Sequence, residues 1–265
     1  MKPINKLRSS NVVEYNKIPD QREPSVTLLS HTDDPLYAIA MAVEAWESDD
    51  LMPLDRKDHT KILRHVNKAL RAYHRTALEY VSLTFLIKNV SRAFQQQLTR
   101  TRLASYSIQS LRVVSKKGFA TGGHYTMPPN LDEFKKAQFH VAMLQIQDQY
   151  EYFIEKGFDP EDARGILPLN IHSDITMTIN LNALYHMTEQ RLCLNTQHEY
   201  RNVVMRIAKE IRTKLHPVLA DRISAPCVKV NKCAVKEFCG IKVWELNREG
   251  QELAYETYSK NRSKK

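Results

Sequence analysis

The run Tyr80-Val-Ser-Leu-Thr-Phe-Leu-Ile-Lys-Asn-Val90-Ser91-Arg92 leads into Gln97-Leu-Thr-Arg100-Thr-Arg102-Leu-Ala-Ser-Tyr106-Ser-Ile-Gln-Ser110-Leu-Arg112. In its first half Val81, Leu83, Phe85 and Ile87 alternate with their neighbours, the period of a strand with one buried face. Ser91 is placed to cap a helix, which the pattern carries from Arg92 to about Arg102. The second half gathers Arg100, Arg102 and Arg112, two glutamines and several hydroxyls at a helix-to-loop transition. Guanidinium groups bind phosphate through forked, charge-assisted hydrogen bonds and hydroxyls add short donors, so the segment reads as an anion site. A solvated basic helix face is the competing reading, and charge alone favours it slightly.

The flanking sequence supplies more of both element types. Val26 to Leu29 is a short β-type run, and Asp33-Asp-Pro35 gives a cap and a first-turn proline to the next helix. Ile62, Leu63, Val66 and Leu70 form a one-sided helical stripe. Helical periodicity runs from Leu131 to about Lys156, where Gly157 stops it, and Asp159-Pro160 restarts a helix. Ile175 to Ile179 is β-like, Asn180 is a plausible helix cap, and a long helix is expected from about Thr196 to Leu215. The mixture predicts an α+β chain: an irregular arm over 1–24, one compact domain over 25–224, and a cysteine-bearing appendage with a basic tail over 225–265.

A chain of 265 residues, 42% apolar and 26% charged, can bury a sizeable core. Its 39 Lys and Arg against 30 Asp and Glu leave +9, which favours an anionic partner. No apolar run reaches membrane-spanning length, and the first residues lack the apolar middle of a secretory signal, so a cytoplasmic protein is expected. Four cysteines are too few for a disulfide framework in a chain this size. Cys227, Cys233 and Cys239, spaced six and six, lack the close pairs that zinc sites favour, so no metal site is expected. Glycine-rich phosphate loops, Ser-His-Asp order and His-x-x-x-His pairs are absent, which argues against nucleotide hydrolases, common hydrolases and zinc proteases.

A second polar series is Glu161-Asp-Ala-Arg164-Gly-Ile-Leu-Pro168, then Asn180, His186 and Arg191, then Gln197-His-Glu199-Tyr-Arg201. Asn180 and Arg191 are about three helical turns apart and can share a face. Taken together, these segments resemble the flavin-dependent thymidylate synthase family, ThyX. Its signature, Arg-His-Arg, seven residues, then Ser, is matched by Arg100-Thr101-Arg102 and Ser110, with threonine in place of histidine. His74-Arg-Thr76-Ala-Leu-Glu79, Gln97, Glu161-Asp-Ala-Arg164 with Leu167-Pro168, Asn180, Arg191 and Gln197-x-Glu199-x-Arg201 fall at matching intervals. The likeness spans about residues 25 to 215.

The resemblance implies a single ThyX-like α+β domain with a central, mostly antiparallel sheet and long helices, assembled as a homotetramer with active sites at subunit interfaces. It implies methylation of dUMP to dTMP, with FAD as cofactor, NADPH as reductant and methylenetetrahydrofolate as carbon donor. Gln97, Arg100, Ser110, Arg112, Arg164 and Arg191 fall where the family contacts dUMP, with Ser110 and Arg191 as the catalytic candidates. His74, Thr76, Glu79, Arg100, Thr101, Arg102, Asn180 and His186 fall where it contacts FAD. Fixed guanidinium donors suit the negative charge that builds on the uracil carbonyls when C5 attacks a one-carbon electrophile.

Several positions depart from the family pattern. Thr101 removes an aromatic flavin neighbour, Ile108 stands where Glu or Gln is usual, and Trp46 replaces a small residue. Val113 replaces a tyrosine and Asn182 a frequent arginine. Two alternatives stay open: flavin-dependent C5 modification of another pyrimidine nucleotide, and a non-catalytic basic protein that binds nucleic acid. The dispersed Asn180, Arg191 and Gln197 pattern disfavours the second.

Overall fold

Strand β1 (Ser25–His31) and strand β2 (Ser82–Ser91) pair antiparallel, Val26 opposite Ile87 and Leu28 opposite Phe85, with an irregularity between Leu28 and Ser30. Strand β3 (Ala104–Ile108) pairs antiparallel with β4 (His172–Asn180), Ala104 opposite Ile179 and Ile108 opposite Ile175. The sheet order is β1-β2-β4-β3. Between the two central strands the Thr84 and Thr178 hydroxyls are 3.0 Å apart. Alternation does what the sequence pattern predicts: Leu83, Phe85 and Ile87 of β2 and Ile175, Met177 and Ile179 of β4 are buried.

The computed structural model describes residues 18–233, 235–236 and 238–258. Most of the expected arm, 1–17, and the basic tail, 260–265, lie outside the described residues. Two units can be distinguished: a larger one, Pro24–Ile108 with 173–258, and a smaller one, 18–23 with Gln109–His172.

In the larger unit, helix α1 (Pro35–Glu44) starts at the Asp34 cap with Pro35 in the first turn, and α2 (His59–Arg71) starts at Asp58, whose carboxylate accepts from Lys61 N at 2.9 Å. The α2 stripe buries Ile62, Val66 and Leu70, while its buried His65 meets Glu44 at 2.7 Å. Helix α3 (Arg92–Leu98) is shorter than the periodicity suggests. The expected run to Arg102 is replaced by a turn and β3, because the Tyr106 hydroxyl lies 3.0 Å from the Leu98 carbonyl and 2.8 Å from that of Thr101. Those contacts satisfy helix-end carbonyls that a further turn would otherwise have covered.

The smaller unit contains α4 (Glu133–Glu155), capped by Asp132, and α5 (Pro160–Ala163), capped by Asp159. Gly157, at φ +80°, closes α4 as Phe158 N donates to Phe153 O at 3.0 Å. Its core holds Phe119, Tyr125, Met143, Leu144 and Ile171. Gly123, at φ +67°, approaches Asp20 so closely that a Cβ there would stand 2.4 Å from the Asp20 carbonyl oxygen.

After β4, the larger unit resumes with α6 (Leu181–Arg191), α7 (His198–Lys214), α8 (Pro217–Ala220), α9 (Pro226–Val230) and α10 (Arg248–Thr257). Ala225, Val243 and Tyr255 join the same core as Phe85, Met177 and Val204. Strands in one sheet with helices packed on it are the α+β architecture that the sequence predicts.

Candidate active site

Ser91 ends β2 and begins α3, and its three polar contacts organise the neighbourhood. Its Oγ accepts from Phe94 N at 2.9 Å, the cap that the sequence predicts. Its backbone N–H and hydroxyl donate to the two Glu199 carboxylate oxygens at 2.7 and 2.5 Å. Glu199 is only 2% exposed, and a carboxylate so buried is tolerated because donors meet its lone pairs. Gln197 Nε2 donates to the same carboxylate at 3.4 Å, and Gln97 Nε2 donates to Gln197 Oε1. This chain of amides fixes both glutamines: with its NH2 group committed to Gln197, Gln97 keeps its carbonyl oxygen for an incoming donor.

Arg191 closes α6, with its guanidinium 5.0 Å above the Tyr200 ring. Its Nε is buried and makes no hydrogen bond. Tyr200 is fully buried, packs on Phe94 at 4.9 Å, and has a hydroxyl outside hydrogen-bond geometry although Thr101 and Arg191 stand beside it. Burial pushes the Tyr200 phenol up to about 12, against the pull of Thr101 and Arg191, so it stays protonated at neutral pH. Gln97, Thr101 and Arg191 are thereby gathered around the start of α7. Arg100 and Arg102 flank Thr101 with exposed side chains.

The remaining flavin candidates of this unit lie on or beside the 3-10 turn Thr76–Tyr80 and α6, which pack together. His74, Thr76 and His186 are not buried; the His186 ring stands 3.1 Å from Gln190 Nε2. Glu79 accepts from Asn182 Nδ2 at 3.0 Å, so the residue that departs from the family pattern holds the carboxylate through a neutral amide. Asn180 Oδ1 caps α6 by accepting from Ala183 N at 2.8 Å, which leaves its Nδ2 as the group available to a ligand. Trp46 stands exposed just beyond α1.

Ser110, Arg112 and Arg164 belong to the smaller unit, and the two arginines converge on one carboxylate. Arg112 Nη2 meets Glu161 Oε2 at 2.6 Å, Arg164 Nη2 lies 3.7 Å from Glu161 Oε1, and Arg164 Nε donates to the Glu161 carbonyl at 3.0 Å. Ser110 Oγ accepts from Arg112 N at 3.2 Å. These ion pairs are solvent-exposed and individually weak, so a more highly charged anion can displace the carboxylate. The sequence-predicted nucleotide residues thus fall in two groups, Gln97, Arg100 and Arg191 in one unit and Ser110, Arg112 and Arg164 in the other.

The sequence pattern gives Tyr200 no role and does not mark Glu161 as an anion stand-in. A signal for Tyr200 exists in its spacing of three from Gln197, the residue that precedes α7, which places it in the first turn of the helix beside that glutamine. Arg201, in contrast, matches a family interval for a structural reason: it is buried and donates to the Leu194 carbonyl at 3.0 Å and that of Tyr255 at 3.1 Å, and also to those of Thr196 and Tyr258. Among the described residues no helix is long and apolar enough to cross a membrane.

Comparison with known proteins identifies the family. A family model described as Thy1, thymidylate synthase complementing protein, matches residues 27–218. A protein of Pyrococcus abyssi called flavin-dependent thymidylate synthase is 29% identical over 84% of this chain and 95% of its own length. One of the same name from Nitratidesulfovibrio vulgaris is 31% identical over 80% of this chain and 91% of its own. Among solved structures, Helicobacter pylori ThyX with FAD and dUMP superposes with a TM-score of 0.64 at 16% identity, covering 75% of this chain and 99% of that one. The UMP/dUMP methylase PolB of Streptomyces cacaoi, bound with 5-Br dUMP, gives a TM-score of 0.62 at 21% identity, covering 77% and 96%. Those two structures share the fold. With the family model spanning most of the sequence and relatives aligned along nearly their whole length, the chain belongs to the Thy1 family, the flavin-dependent thymidylate synthases.

Proposed function

We propose that the protein methylates dUMP to dTMP in the cytoplasm with FAD as cofactor, methylenetetrahydrofolate as carbon donor and NADPH as reductant. The observation that carries this reading is the Arg191 guanidinium, held over Tyr200 with a buried Nε that has no partner. Buried polar groups are almost always paired, so an unpaired guanidinium nitrogen is a donor held for an acceptor that arrives from outside. Uracil carbonyl oxygens are such acceptors, and they gain negative charge as C5 attacks the one-carbon electrophile.

The other residues divide the work of binding. Ser110, Arg112 and Arg164 hold the nucleotide phosphate, which takes the place of the Glu161 carboxylate between the two guanidinium groups. Gln97, polarised by the amide chain to Glu199, offers its carbonyl oxygen to a hydroxyl or imide N–H of the nucleotide. Arg100 adds a further positive contact. The chain's groups also fit a flavin: Asn180 has a free amide donor, Arg100 and Arg102 carry exposed guanidinium groups, and His74, Thr76, Glu79, Thr101 and His186 line the segments beside them. FAD, when bound, supplies the hydride that completes the methyl group, so no strong protein nucleophile is needed and Ser110 acts by holding the nucleotide.

The assembly is a homotetramer. Leu103, Val113 and Tyr73, each next to a candidate site residue, are 71%, 85% and 94% exposed in the single chain, as apolar side chains bound for a subunit interface would be. Mass analysis of the product after incubation with FAD, NADPH, methylenetetrahydrofolate and dUMP tests the reaction, and dTMP is expected. A methylated product from UMP or dCMP, with none from dUMP, would replace this reading by modification of another pyrimidine nucleotide, which Ile108 on β3 keeps in view.

A further inference from the structure

All four cysteines of the chain, Cys193, Cys227, Cys233 and Cys239, line one cavity of about 180 Å³ in the larger unit. None is in a disulfide. Three come from the segment around α9, while Cys193 comes from the turn between α6 and α7, far upstream in sequence. That remote fourth member is what the spacing of Cys227, Cys233 and Cys239 hides.

From this convergence we propose that the four thiols bind an iron–sulfur cluster of the cubane, four-iron type. A single zinc ion draws its thiolates to about 2.3 Å and leaves no void. Here, among the described residues, no three His, Cys, Asp or Glu side chains stand close enough to hold one metal ion, yet four cysteines ring a space large enough for a polynuclear group. A cubane takes one thiolate at each of four corners, so its ligands stand apart around a volume of their own. The remaining wall is largely apolar, with Val235 and Trp244 among its side chains, which suits a sulfide-rich cluster. Lys232 also lines it and offsets the net negative charge that four thiolates give such a cluster.

The Cys233 thiol faces the Val235 carbonyl at 3.8 Å and the Cys239 thiol faces the Ile241 carbonyl at 3.4 Å, each two residues on. Gly240, directly after Cys239, has φ +91°, a conformation that turns the chain sharply away from the cysteine. Through Cys193 the cluster ties this segment to the turn that carries Arg191 at one end and Gln197 at the other. Its role is therefore to fix that turn, as Arg201 does from the opposite end of the same turn.

The test is metal and acid-labile sulfide analysis of the full chain, purified without oxygen and reconstituted with ferrous iron, sulfide and a thiol reductant. About four irons and four sulfides per chain are expected, with the cluster's paramagnetic resonance after dithionite reduction distinguishing it from flavin. Replacing Cys233 by Ser should lower iron content at least twofold while the circular dichroism of the chain is kept. If that variant fails to fold, Lys232→Glu, which leaves every thiol in place, should lower the midpoint potential of the cluster. Stoichiometric zinc, disulfides among the four cysteines after anaerobic purification, or iron below one per chain after reconstitution would each overturn the proposal.

Discussion

Arg191 combines partial burial with an unused hydrogen-bonding nitrogen, whereas Arg112 is an exposed side chain already paired with Glu161. The contrast predicts different kinetic signatures. Arg191→Ala should lower kcat by about a hundredfold or more with a smaller change in KM, because its donor acts on charge that develops during reaction. Arg112→Ala should weaken dUMP binding by about 1.5 to 3 kcal/mol, the worth of a charge-assisted hydrogen bond, with kcat less affected. Steady-state kinetics on both variants separates the two. His172 makes a further prediction at this scale. Its imidazole is 4% exposed, reaches Thr126 Oγ at 3.2 Å, and has an Nδ1 with no partner. Burial, helped by the positive charges of His124, Lys116 and Arg22, brings its pKa down to about 3. The unfolded chain binds the proton near the ordinary histidine value and the folded chain does not. Stability is therefore fully present above about pH 6.5 and falls as pH drops toward 3, by up to about 1.4 kcal/mol per pH unit from this residue. Urea denaturation at pH 7 and pH 5 measures the slope, and His172→Gln should flatten it.

At the level of elements, Ser91 holds two functions in one hydroxyl: it starts α3 and it steadies Glu199. Ser91→Ala should cost about 1 to 2 kcal/mol of stability from the lost cap and leave Glu199 short of a donor. Because Gln97 is aligned through Gln197 and Glu199, the variant should also raise KM for the nucleotide, and chemical denaturation with dUMP titration checks both effects. Most elements are legible in the sequence through local chemistry. Proline and aspartate at Asp34-Pro35 and Asp159-Pro160, the Ile62, Val66 and Leu70 stripe, and Gly157 each act through a few neighbouring residues. Strand β3 is not legible in that way. Ala104, Tyr106 and Ile108 do alternate with Ser105 and Ser107, but over only five residues and with none of the side chains fully buried, so its strand state depends on pairing with β4 and on the Tyr106 hydroxyl reaching back to the end of α3. The same distinction governs the site. The resemblance to a family is what names the arginines and Asn180 as candidates, since type and spacing alone leave a solvated face open, while the Tyr200 shelf beneath Arg191 and the return of Cys193 to the α9 segment arise only from tertiary packing.

For the whole molecule, the exposed Leu103, Val113 and Tyr73 predict an assembled enzyme, and light scattering at working concentration should give four chains per particle. A fully active monomer would remove the interface reading. The connection between β3 and β4 carries a different consequence. These strands are neighbours and antiparallel, with Ile108 opposite Ile175, yet residues 109–171, nearly all of the smaller unit, lie between them. In topological language they form a hairpin whose turn has expanded into a folding unit with its own core. Loop-closure entropy grows only with the logarithm of length, about 0.6 kcal/mol per doubling, so such an insertion is thermodynamically cheap for the sheet that hosts it. The hairpin should accept the reverse operation. Replacing the insertion by a two-residue Asn-Gly turn should leave the larger unit's strand content intact by circular dichroism, while phosphate recognition, whose Ser110, Arg112 and Arg164 travel with the excised turn, disappears. On the proposed function, grip on the nucleotide's anionic end is in that sense a module carried in a loop, separable from the scaffold that holds Arg191.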